Sequence, residues 1–150
     1  MERTLIIVKP DAMQRGLAGE IIKRLEQRGL RIIGMKLMQI SEDLAKEHYA
    51  HIADKPFFPG ILSYFTSGPV IVFALEGNNA SAIARQSIGA TRPHEAEAGT
   101  IRGDYSMEVG RNLVHGSDSP ENGEIEVKRF FSDDEIFSGW KRDTDAWIFE

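Results

Sequence analysis

Apolar positions along the chain fall into two rhythms, and the switches between them mark its elements. Thr4-Leu-Ile-Ile-Val8 is an unbroken, largely β-branched run halted by Lys9-Pro10-Asp11, the pattern of a buried strand. Leu17, Ala18, Ile21, Ile22 and Leu25 then recur at helical spacing. Glu20 and Arg24 pair on the opposite face, and Gly29 sits where a helix ends. Residues 30–40 form a second strand rich in Ile and Met, and Ser41 caps a helix over residues 42–52. A shorter helix follows Pro59 up to Gly68. Residues 69–75 are a third strand, after which Asn78 or Asn79 caps a helix that runs through Ile88 and stops at Gly89. Periodicity fades over residues 90–111, which read as loops with short helices. Residues 112–115 are a short last strand, Ser119-Pro120 opens a helix to about Phe131, and Ser132-Asp-Asp-Glu135 has the capping-box pattern of one more short helix.

The order β-α-β-α-α-β-α-β-α predicts an α+β fold of the ferredoxin-like sandwich type. It is a four-stranded antiparallel sheet with helices packed on it, mainly on one face. No repeat or linker-like shift in composition divides the 150 residues, so residues 1–150 are expected to form a single domain.

Composition narrows the function. Apolar runs such as Leu5 to Val8 and Val70 to Leu75 fall far short of the ~20 residues of a membrane helix, and the N-terminal run is too short for a signal-peptide core. With no cysteine there is no disulfide framework or thiolate chemistry. The expectation is a cytoplasmic protein without a membrane partner. A net charge of −5 argues against a broad nucleic-acid binder, so any anion site is built locally from a few cations.

Standard machinery is absent: there is no GxxxxGK(S/T) loop, no GxGxxG fingerprint, no HExxH and no GxSxG elbow. What remains is His115 at the end of a strand, with Gly116 leaving one side of the ring uncovered. A helix start follows it and carries Glu126 one to two turns in. A neutral imidazole oriented by a carboxylate is a nucleophile, and a helix N-terminus favours phosphate, so His115 is a candidate phosphoryl acceptor. A capped surface turn is the competing reading of that stretch. Of the two phenylalanines in KPFFPG, one packs inward and the other is free to stack on a base. His48 and His51 read as solvated, with Tyr49 facing elsewhere, and no third ligand completes a metal site. Trp140 and Trp147 pack the tail onto the domain or a neighbouring subunit.

Taken together, VKPDAMQRGL, KPFFPG, SGP, GATRP, GTIRGDY and NLVHGSDSPENGEIE resemble the nucleoside diphosphate kinase family over essentially the whole chain. The resemblance implies transfer of the γ-phosphoryl group from a nucleoside triphosphate to a nucleoside diphosphate, by a ping-pong route through a phosphohistidine at His115. The alternatives are a protein-histidine phosphocarrier and a regulatory module binding nucleotide or nucleic acid. It further implies that Glu126 holds the imidazole and Ser117 joins that arrangement. By the same likeness Lys9, Tyr49, Arg85, Thr91 and Arg102 contact the phosphates, Phe57 stacks on the base, and Asn112 with Lys9 contacts the ribose. Mg²⁺ would come on the nucleotide phosphates rather than in a protein cage. Substrates would be ATP, GTP, CTP, UTP and their deoxy forms, and the assembly a homo-oligomer, a hexamer in preference to a tetramer.

Overall fold

The fully apolar N-terminal run becomes the strand with neighbours on both sides. In the computed structural model, which describes residues 1–150, β1 (Glu2–Val8), β2 (Arg31–Met38), β3 (Val70–Gly77) and β4 (Val114–Gly116) form one sheet. Its order is β2-β3-β1-β4 and every adjacent pair is antiparallel. The helices are α1 (Pro10–Gln14), α2 (Ala18–Gln27), α3 (Glu42–His48), α4 (Phe58–Phe65), α5 (Ala80–Ile88), α6 (Ile101–Tyr105) and α7 (Pro120–Phe130). This is the ferredoxin-like α+β sandwich expected from the element order. No helix is long and apolar enough to cross a membrane.

The helices cover both faces of the sheet, which corrects the expectation of one covered face. Ile6 and Val8 of β1 pack with Ile21 and Leu25 of α2 and with Ala84 and Ile88 of α5. Leu5 and Ile7 pack on the other side with Ala45 of α3, Phe65 of α4 and Val127 and Phe130 of α7. A strand buried on both faces reads as a continuous apolar run, whereas a strand with one wet face alternates. The sequence of β1 carried that signal.

Local chemistry explains the other boundaries. The Ser41 hydroxyl accepts from the Leu44 amide at 3.1 Å and the Ser119 hydroxyl from the Asn122 amide at 3.1 Å, so both expected caps form. The helix expected over residues 42–52 stops at His48 and resumes only as a 3-10 turn over Ala50–Ile52. Asn79 begins α5 but makes no side-chain cap; it sits in the left-handed region at φ 55°, which asparagine tolerates better than most residues. Pro10 at the first helical position starts α1 directly after the halt of β1. The Ser132–Glu135 capping box is present over a 3-10 turn. Beyond it the tail runs along the free edge of β2. The Phe137 amide donates to the Ile33 carbonyl at 2.8 Å and the Trp140 indole to the Ile32 carbonyl at 3.0 Å. Trp147 is 90% exposed and packs on nothing in its own chain.

One glycine sets how closely α7 approaches β1. A Cβ on Gly123 would collide with the carbonyl oxygen of Arg3 and come within 3.3 Å of the Thr4 Cα. An exposed helix gains about 1 kcal/mol when glycine becomes alanine. Here overpacking, on the order of 1–3 kcal/mol, outweighs that gain because the obstacle is backbone. Gly123→Ala is therefore expected to lower the urea midpoint by displacing α7 from β1. A midpoint at or above that of the parent protein would show that α7 is not held by this contact.

Candidate active site

Register puts His115 where it is. β4 pairs with β1 so that His115 lies opposite Ile7, and its side chain shares the face covered by α3, α4 and α7. A slip of one residue would send it to the other face. Gly116, next along the strand, faces the opposite side, where a Cβ would come within 2.7 Å of Ile88. Its bareness serves the close approach of α5, which corrects the reading that it uncovers the histidine ring.

On the His115 face three side chains lock together. The Nε2–H of His115 donates to Glu126 Oε1 at 2.7 Å, the Ser117 hydroxyl donates to the same oxygen at 2.8 Å, and the amide of Leu5 donates to the Ser117 hydroxyl at 3.0 Å. Burial pushes the Glu126 carboxyl up. The hydrogen bond and charge of His115, with the Ser117 hydroxyl, more than offset this and hold it below its ordinary value. An anionic carboxylate on Nε2 fixes the tautomer and leaves Nδ1 as the nitrogen with a free lone pair. A cavity of about 310 Å³ opens beside the ring, with Tyr49, Arg85 and Arg129 among its walls.

A second group centres on Asn112, whose side chain is buried. Lys9, at the end of β1, donates to Asn112 Oδ1 at 2.8 Å, and Asn112 Nδ2 donates to the Thr91 carbonyl at 3.0 Å. Arg102 is buried and braces backbone: its guanidinium donates to the carbonyls of Asn112, Gly89 and Val114 at 3.1, 3.1 and 2.7 Å. Three of its five N–H donors are thereby occupied, so the residue stabilises the loop as well as offering charge. Burial first, and then the neighbouring charge, lowers both cations: Lys9, beside Arg102, to about 8, and Arg102, beside Arg85, to about 10. Arg85 is exposed and donates to the Gly116 carbonyl at 3.0 Å. Phe57 and Thr91 are exposed, and neither lines the cavity beside His115. Phe57 is 56% exposed while Phe58 is buried, dividing the pair as expected.

The residue missed in the sequence is His48. Far from being solvated, it is only 6% exposed, and its ring stands edge-to-face against His115 at 4.8 Å between centroids. Tyr49, read as facing elsewhere, packs on His48 at 5.0 Å and on Phe65 at 5.1 Å. Leu44, Ala45, His48 and Tyr49 form one helical stripe, and that spacing was the available signal. Arg129 Nη1 donates to His48 Nδ1 at 3.1 Å; since a guanidinium only donates, the ring proton of His48 is on Nε2. His48, His115 and Glu126 have potential ligand atoms within 4.8 Å of one another. Yet Nδ1 of His48 is taken by Arg129, and Glu126 by His115 and Ser117, so this donor set is poorly suited to a metal.

Comparison with known proteins accords with this geometry. The family model described as nucleoside diphosphate kinase matches residues 2–136. The chain is 57% identical over 150 residues to a nucleoside diphosphate kinase of Roseiflexus castenholzii, covering 100% of both chains. It is 52% identical to one of Archaeoglobus fulgidus, covering 100% of this chain and 99% of the other. Among solved structures, a halophilic nucleoside diphosphate kinase from Halobacterium salinarum in complex with CDP superposes with a TM-score of 0.95 at 51% identity, covering 99% of each chain. A nucleoside diphosphate kinase family protein from Babesia bovis superposes with a TM-score of 0.96 at 42% identity, covering 99% of this chain and 100% of that one.

The buried His48 has a consequence for stability. Desolvation, reinforced by His115, Arg129 and His51 and opposed by Glu126, pushes its pKa from 6.5 down to about 3. The unfolded chain therefore binds more protons than the folded one between those values. His48's contribution to stability is complete above pH 6.5 and is lost as the pH falls toward 3. Urea midpoints measured from pH 7 to pH 4 are expected to fall less steeply in His48→Phe than in the parent protein; equal slopes would mean that His48 titrates normally.

Proposed function

The chain belongs to the nucleoside diphosphate kinase family and transfers the γ-phosphoryl group of a nucleoside triphosphate to a nucleoside diphosphate; we propose that the group passes through Nδ1 of His115. The observation that carries this proposal is the 2.7 Å bond from His115 Nε2 to Glu126, which leaves Nδ1 as the nucleophile. In the first half-reaction Nδ1 attacks the γ-phosphorus, the bond to the bridging oxygen breaks, and the diphosphate leaves. In the second, a terminal oxygen of a different diphosphate takes the group from Nδ1. The Nε2 proton stays on the ring throughout, and the Glu126 carboxylate balances the positive charge of the phosphorylated imidazole. Ser117 holds Glu126 in place.

A loose phosphoryl transition state spreads charge over its equatorial oxygens, so catalysis rests on placed cations and hydroxyls. Lys9, Arg85, Arg102, Tyr49 and Thr91 are assigned to the phosphates. Mg²⁺ would come with the nucleotide as part of the substrate, where its charge would offset that of the phosphates. Asn112, with Lys9, is assigned to the ribose. The exposed ring of Phe57 stacks on the base without reading its edge, which favours broad acceptance of ATP, GTP, CTP, UTP and deoxy forms. The edge strand β2, only partly covered by the tail and with Met35, Leu37 and Phe137 exposed nearby, supports a homo-oligomer, with a hexamer preferred to a tetramer. The cytoplasm is the compartment in which such nucleotide exchange fits.

Intact mass after mixing with ATP and Mg²⁺, without acceptor, is expected to show one added phosphoryl group that survives alkali, is lost in acid and disappears on adding GDP. His115→Ala is expected to show no adduct and no turnover. An acid-stable adduct would move the acceptor to a serine, and an adduct that GDP leaves in place would favour a protein phosphocarrier. Phe57→Ala is expected to weaken binding of purine and pyrimidine nucleotides to a similar degree. A loss confined to one base would refute stacking as the grip.

A further inference from the structure

Two residues before His115 the backbone takes a conformation that its residue type resists. Leu113 is a fully buried, non-glycine residue at φ 75°, and the amide of Val114 donates to the carbonyl of Asn112 at 2.9 Å across it. A positive φ with an i to i+2 hydrogen bond is the rare, strained form of the γ-turn. Such geometry persists only where the surroundings over-determine it.

The surroundings here are identifiable. Both backbone polar groups of Leu113 are gripped from just beyond the end of β1: Asp11 Oδ2 accepts from its amide at 3.1 Å, and the Lys9 amide donates to its carbonyl at 2.9 Å. Asp11 is held in turn, its Oδ1 accepting from the Tyr64 hydroxyl. The Arg111 guanidinium lies over the Tyr64 ring at 4.3 Å. Asp11 and Leu113 are 102 residues apart in sequence, so this brace is tertiary. On one side of the turn Asn112 meets Lys9, and on the other His115 meets Glu126. If the turn relaxed toward negative φ, these two side chains would change direction relative to each other.

We propose that Asp11 is a positioning residue for phosphoryl transfer: it acts through the Leu113 amide to hold the strained turn that sets Asn112 and His115 in mutual register. Asp11 touches neither of those side chains. It acts through one backbone amide, and Tyr64 acts through Asp11. This assignment rests on His115 being the phosphoryl acceptor.

The test compares single-turnover phosphorylation by ATP and Mg²⁺ in the parent protein, Asp11→Ala, Asp11→Asn and Tyr64→Phe, with hydrogen exchange of the Leu113 amide measured alongside. Asp11→Asn keeps an oxygen for the Leu113 amide and turns its own N–H₂ toward the Tyr64 oxygen. Asp11→Ala is expected to slow phosphorylation on the order of 100-fold, the scale of a misplacement near 1 Å, and to speed exchange at Leu113. Asp11→Asn is expected to restore most of the rate. Parent-like phosphorylation in Asp11→Ala would overturn the proposal, as would equal slowing in Asp11→Asn, which would implicate carboxylate charge rather than the hydrogen bond. If Asp11→Ala fails to fold, Tyr64→Phe decides: slower phosphorylation with an unchanged melting temperature supports the brace, and an unchanged rate refutes it. A parent protein that forms no phosphohistidine would remove the His115 assignment, and this proposal with it; a phosphorylated parent with indifferent variants removes the proposal alone.

Discussion

Burial of both faces of β1 fixes the frame from which the site is built. Leu5 and Ile7 belong to one core, Ile6 and Val8 to the other, so the strand cannot slip by one residue without exchanging the two. The candidate site is registered against it. β4 pairs with it to place His115 opposite Ile7, and its Leu5 amide anchors the Ser117 hydroxyl. Lys9 follows directly from its end, and α7 lies close enough, across Gly123, to carry Glu126 to the histidine. The hydrophobic core and the acid–base arrangement are therefore one construction.

The site's protonation states follow from which donors and acceptors are already taken. Glu126 consumes the Nε2 proton of His115, Ser117 consumes a lone pair of Glu126, and Arg129 consumes the Nδ1 lone pair of His48. The first and last of these bonds settle the tautomers of the two rings, and the consequence at His115 is an Nδ1 lone pair with no internal claimant. The same reasoning makes His48 a wall of the site rather than a ligand. It is kept neutral by burial, and its ring sets the face against which His115 rests.

Much of this was legible in the sequence, and the omissions have physical causes. The run Thr4–Val8, the Ser41 and Ser119 caps, the stop at Gly29 and the NxxHGSDS stretch all act locally, so composition and spacing reveal them. His48 escaped because its partner is 67 residues away and only sheet register brings them together. The left-handed backbone at Leu113 escaped for a stronger reason. Leucine has no preference for positive φ, so the conformation is imposed by Asp11 and Lys9 from just beyond the end of β1. The double-sided sheet, by contrast, was present in the unbroken apolar run and was misjudged because antiparallel sheets so often leave one face wet.

A protein of net charge −5 that handles polyphosphates cannot rely on its overall field to attract them. Its cations are instead concentrated and dehydrated. Lys9 and Arg102 are both held below their ordinary values by burial and by neighbouring positive charge. Three carbonyls fix the orientation of the Arg102 fork within the protein itself. Repulsion between neighbouring cations adds to the cost of burying them, and a phosphate bound where we propose would offset both. In the proposed site that release would favour a ligand carrying several negative charges close together.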